Sequence, residues 1–144
     1  MSDVLEIAGK AARIAFTVHG YERAAATDSS DANWLVCTIE ASVAGFEGKI
    51  ETSLTTQDLR RLHDDLQVLL ATLDGRLAFT PDEDAVSFEA EMMRDGRMIV
   101  AGELKTRIGA EASMRFRFDS DQSYFQATLK QLILLCREYP QRMA

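Results

Sequence analysis

The side chains that could do chemistry in this chain are few and scattered. Two histidines, His19 and His63, and two cysteines, Cys37 and Cys136, are its whole stock of imidazole and thiol. Metal binding or acid–base work needs such groups to converge on one point. Neighbours on a helix diverge by about 100°, so His63, Asp64 and Asp65 share no centre and read as a solvated helix face. His19, near the end of a strand, reads as a surface or edge residue. The cysteines fall in no C-x-x-C spacing and read as reduced core thiols. The densest carboxylate groups are Asp82-Glu83-Asp84 and Asp119-x-Asp121. Neither has the glycine-containing frame and distant bidentate Glu of a calcium loop. The first reads as a solvated turn and the second as a helix cap. The glycines form no phosphate-binding or dinucleotide-binding loop, and there is no nucleophile elbow. Catalytic, cofactor-binding and metal-ligating residues are therefore all read as none, although acids from distant strands could still converge as a paired-carboxylate hydrolase.

Composition sets the class. At 144 residues, 47% hydrophobic and 27% charged, the chain is expected to form one globular domain spanning 1–144. Sixteen Lys and Arg against twenty-three Asp and Glu leave a net charge of −7. That disfavours a phosphate-backbone binder and suits a basic or neutral partner, or simply solubility. Arg60-Arg61 is isolated among acids, and in Arg115-Phe116-Arg117 the ring points away from the arginines, so nucleic-acid binding is not expected. The first ten residues do not read as a secretory signal, and the longest apolar runs, Val68–Ala71 and Leu132–Cys136, are far too short to span a membrane. The expected location is the cytoplasm.

The elements are read from periodicity. Asn33–Val43 alternates Leu35, Cys37, Ile39, Ala41 and Val43 against Trp34, Val36, Thr38, Glu40 and Ser42. A Gly45-Phe46 turn is expected to return Ile50, Thr52 and Leu54 on the same apolar face. Thr55 to Asp58 reads as a capping box, followed by a helix with Leu59, Leu62, Leu66, Leu69, Leu70 and Leu73. Short strands are expected at Val4–Ala8, Arg13–Tyr21 and Arg76–Thr80, and Glu22–Ala32 reads as a mobile polar loop. A last helix starts at Asp119–Gln122, carries Phe125, Leu129, Leu132, Ile133 and Cys136, and stops at Tyr139-Pro140. No internal sequence repeat is visible.

Two hairpins carry a register argument. A three-residue loop with Gly96 left-handed pairs Met92 with Met98, Ala90 with Val100 and Phe88 with Gly102, keeping each face uniform. The next hairpin sets Arg107 against Glu111, Glu103 against Arg115 and Gly102 against Phe116. Gly102 then lies between Phe88 and Phe116, either as space made for two rings or as a tolerated strand glycine. The expected fold is α+β: an antiparallel meander sheet of about eight strands, with two helices packed on one face.

The order Asp31-x-Asn33-Trp34-Leu35, second strand, capped leucine helix, Asp95-Gly96 hairpin and Asp121-Gln122-Ser123-Tyr124 resembles the WapI-type bacterial immunity proteins and their uncharacterised relatives. The resemblance covers most of the chain from Asp31 onward. It implies a non-enzymatic, cytosolic binding protein that blocks the C-terminal domain of a polymorphic protein toxin. The acidic balance would suit a basic toxin. Candidate partner-binding residues are Trp34, as an anchor, and Glu89, Glu91 and Glu103 on the solvated sheet face. Trp34 reads equally as core if the preceding loop folds over it. The alternatives are a small-ligand or regulatory domain, or a minor hydrolase.

Overall fold

The computed structural model describes residues 3–23, 32–107 and 109–142. Of the loop expected to be mobile, residues 24–31 lie outside the described residues. The first unit contains β1 (Val4–Gly9), β2 (Ala12–Tyr21), β3 (Trp34–Val43), β4 (Phe46–Thr55) and α1 (Thr56–Thr72). The second contains β5 (Arg76–Phe79), β6 (Val86–Met92), β7 (Arg97–Thr106), β8 (Ala112–Asp121) and α2 (Gln122–Glu138). The class is α+β, as the sequence predicts.

The single eight-stranded meander divides into two antiparallel sheets, ordered β1-β2-β3-β4 and β5-β6-β7-β8. The division lies at Thr55, which is both the last residue of β4 and the N-cap of α1. The Thr55 hydroxyl accepts from the Asp58 N–H, and the Asp58 carboxylate accepts from the Thr55 N–H. This capping box starts a 17-residue helix directly after β4, and β5 beyond it opens the second sheet. The helices do not cover one face of a common sheet either. They pack on each other, α1 beside β5 of the second unit and α2 beside β1 of the first. The order of four strands then a helix thus occurs twice, with no matching residue pattern in the sequence.

The two units share one apolar cluster. It joins Leu5, Ile14, Phe16, Leu35 and Ile39 of the first sheet to Val86, Ala90, Met98 and Val100 of the second, and to Leu59, Leu66, Phe125 and Leu132 of the helices. Each large side chain of this kind stabilises the fold by about 1.5–3 kcal/mol. Across the interior the Phe16 and Phe79 rings meet edge to face, with centroids 6.0 Å apart. The outer edge of β1 is closed by polar groups of α2: the Glu6 N–H donates to Gln131 Oε1 (2.7 Å), and Thr128 Oγ1 donates to the Glu6 carbonyl (2.6 Å). A helix covering a strand edge removes a template for unwanted pairing.

The hairpin registers follow the side-chain faces. Met92 pairs Met98, Phe88 pairs Gly102, Gly102 pairs Phe116 and Glu103 pairs Arg115, as the parity argument requires. The first-sheet hairpin differs in its turn. Ala44-Gly45, with φ of 51° and 92°, connects β3 to β4, and Phe46 already belongs to β4 opposite Val43. A two-residue turn matching strand twist needs positive φ at both positions, and this placement supplies it. The slip is even, so Leu54 still meets Leu35 and Ile50 meets Ile39 on the apolar face.

Candidate partner-binding surface

Strand alternation builds the outer face of the second sheet. Phe88 and Ala90 point inward from β6, which leaves Ser87, Glu89 and Glu91 outward. By register, Ala101 and Glu103 of β7, Arg115 and Arg117 of β8, and Arg76 and Ala78 of β5 share that outward face. The structure therefore brings Glu89, Glu91 and Glu103 together on one surface. A shallow basin of about 520 Å³ opens there, lined in part by Ala78, Ser87, Glu89, Ala101, Glu103 and Arg115. Small residues and charged ones line it together. Glu89 lies 4.0 Å from Arg76, and Glu103 lies 4.0 Å from Arg115. At that separation such pairs are loose and contribute little to stability.

Trp34 is not part of this face. It sits at the start of β3 in the other sheet, opposite Thr55, half-buried, with its carbonyl accepting from the Glu22 N–H at 2.8 Å. His19 Nε2 lies 2.7 Å from Thr38 Oγ1, and His63 Nδ1 lies 2.9 Å from Asp64. Among the described residues no three His, Cys, Asp or Glu side chains gather as a metal site. Cys37 is fully buried, and burial pushes its thiol up to about 12; half-burial also raises Cys136. Among the described residues no helix is long and apolar enough to cross a membrane.

The two motifs behind the family resemblance are structural here. Asn33 accepts from the Arg142 N–H (2.7 Å) and donates to the Arg142 carbonyl (3.0 Å). The Arg142 guanidinium then donates to the carbonyls of Ala32 and Arg23, on either side of the 24–31 segment. It also stacks 3.7 Å above the Tyr21 ring, whose hydroxyl donates to the Pro140 carbonyl. Asp121, in the second motif, caps α2 by accepting from the N–H groups of Ser123 and Tyr124. The Ser123 hydroxyl, together with those N–H groups, holds the Asp121 carboxyl below its ordinary range.

Sequence reasoning missed one surface residue. Phe46, assigned to a turn, is 74% exposed at the start of β4. It lines an open groove of about 540 Å³ with Glu47, Met114, Arg115 and Arg117. The available signal was parity: an aromatic residue opposite Val43 belongs to the strand once the turn moves back by one residue.

The fold is an α+β arrangement of two four-strand-and-helix units. Residues 5–140 match the immunity protein WapI-like family, and the chain belongs to that family. No curated protein matches it significantly. In fold it is similar to a solved structure of the plant transcriptional regulator PBF-2, with a TM-score of 0.53 and 12% identity. That match covers 94% of this chain and 80% of the other.

Proposed function

We propose that the protein is a cytosolic immunity protein that binds the toxic domain of a partner toxin and blocks it by occlusion, without catalysis. The observation that carries this reading is the family match over residues 5–140. The acidic balance of −7 supports a basic partner, because opposite charges steer association and raise its rate. Glu89, Glu91 and Glu103 are the acids proposed to face it, with Trp34 a separate contact on the other sheet. The pairing of Glu89 with Arg76 and of Glu103 with Arg115 is loose enough to be exchanged for a partner's cations.

The test is capture of a partner on the tagged protein from lysate of its own source, followed by expression of the captured domain alone. The reading expects a stoichiometric complex, growth arrest by the isolated domain, and rescue when this chain is co-expressed. Replacing Glu89, Glu91 and Glu103 together by Gln should weaken rescue while leaving the thermal midpoint in place, since only loose exposed pairs are lost. A captured domain that arrests growth equally with and without this chain would refute neutralisation. Rescue untouched by the triple replacement would move the contact off this face.

A further inference from the structure

The open edge of β8 carries an inference that does not rest on the toxin reading. Backbone direction along β7 is fixed by two bonds: the Met93 N–H donates to the Arg97 carbonyl and the Lys105 N–H to the Ala85 carbonyl, each at 2.8 Å. Odd-numbered residues of β7 therefore face β6, and even-numbered ones face β8. In the β7–β8 register, even pairs with even: Gly102 with Phe116, Leu104 with Met114. The N–H and C=O groups of Ser113, Arg115 and Arg117 consequently point away from the sheet. Asp119, of the same parity, shows this directly, since its carbonyl accepts from the Lys10 N–H at 3.2 Å. The far end of the edge is thus already paired with backbone from the first unit, and the stretch from Ser113 to Arg117 continues it.

That stretch borders the groove of about 540 Å³ whose opposite wall is the β3–β4 hairpin with exposed Phe46. The charges that β8 presents along it, Arg115 and Arg117, have one sign, with Glu47 on the opposite wall. Arg115 is only loosely held by Glu103, and no carboxylate is ion-paired with Arg117 among the described residues. Another edge strand, β4, differs: its Glu47, Lys49 and Glu51 alternate in sign, and Glu22 takes the Ser53 hydroxyl. Alternating charge discourages pairing of an edge strand, whereas one sign selects a partner of the other.

We infer that β8 is a strand-addition site for an extended polypeptide segment with carboxylates at alternate positions. Its backbone pairs with Ser113, Arg115 and Arg117, its acids meet Arg115 and Arg117, and an apolar side chain rests on Phe46. Strand addition takes affinity from main-chain bonds and specificity from alternate side chains.

The probe is a short capped peptide alternating glutamate and valine, titrated into the full chain and followed by amide spectra and hydrogen exchange. Two comparison peptides are used: one alternating lysine and valine, and one with the glutamates and valines in separate blocks. Addition at β8 expects new protection of the Ser113, Arg115 and Arg117 amides, with Met114 and Phe116 already protected by β7. Arg117→Pro removes an outward donor and one of the two guanidinium groups but no bond of the β7 ladder, so it should keep the thermal midpoint and weaken binding at least about tenfold. Arg115 and Arg117 both changed to Glu should weaken the acidic peptide and admit the lysine one. The inference is overturned if millimolar peptide leaves those three amides unprotected, or if protection appears on β4 instead. Equal binding of the lysine peptide to the native chain also overturns it, and so does unfolding by Arg117→Pro, because that amide would then belong to the β7 ladder.

Discussion

Gly102 is where the packing of the second sheet is most exposed to test. It sits mid-strand between Phe88 of β6 and Phe116 of β8. A Cβ added there would lie 2.3 Å from the Ser87 carbonyl oxygen, 2.7 Å from Phe88 Cβ and 2.7 Å from the tip of the Phe116 ring. Elsewhere in a strand, Gly→Ala would stabilise by about 0.4–1 kcal/mol through the unfolded chain, so a loss here is steric. Overpacking costs about 1–3 kcal/mol, and two of the three obstacles are fixed to the β6 backbone and cannot rotate away. Gly102→Ala is therefore expected to lose about 3 kcal/mol, and Gly102→Val more. At about 2–4 °C per kcal/mol for a domain of this size, the alanine variant should melt about 6–12 °C lower. Urea titration with an unchanged m-value reads the loss directly. Phe116→Leu in the same chain should return part of it, a coupling of at least about 0.5 kcal/mol. A Gly102→Ala variant as stable as the native chain would refute both the register and the three-way contact.

Arg142→Ala frees the carbonyls of Ala32 and Arg23 and the Tyr21 ring, and should cost about 1.5–3 kcal/mol in denaturant titration, as charge-assisted hydrogen bonds do. Thr55→Ala breaks the capping box of α1 and should cost about 1 kcal/mol, read the same way. Cys37 should resist a thiol reagent at neutral pH until the protein unfolds, because burial raises its thiol to about 12; labelling of native Cys37 within minutes would contradict its placement. In acid, the carboxyls of Asp84, Asp95 and Asp121 sit below their ordinary 3.8, held by Lys105, Arg97 and Ser123 respectively. The folded state then holds fewer protons than the unfolded one, so their stabilisation is full above that value and fades as pH falls through the lower folded values. Asp121→Asn should flatten that acid limb in pH-dependent melts.

The hairpins were legible because a side-chain period of two makes register a discrete choice. Once Phe88, Ala90 and Met92 must share a face with Met98 and Val100, only the loop with left-handed Gly96 survives, and Gly96 has φ of 89°. The same parity logic groups Glu89, Glu91 and Glu103 before any coordinates exist. What it cannot reach is how strands separated by a helix relate. Nothing in Arg76–Phe79 distinguishes a fifth strand beside β4 from the first strand of a second sheet, since both bury Leu77 and Phe79 and expose Arg76. The deciding contacts are long-range and shape-dependent. Gly9 approaches the Asp119 carbonyl too closely for any side chain, and Gly48 leaves room for Met114 across the sheets. Those two glycines look unremarkable in sequence, yet they mark where the two units close on each other. Trp34 escapes for a related reason: its environment depends on Glu22 and the base of the preceding loop, which strand periodicity says nothing about. The candidate surfaces divide along the same line. The acidic face follows from alternation alone, and β8 would be an edge strand in one sheet or two, but only the packing of two sheets sets Phe46 of the β3–β4 hairpin beside that edge.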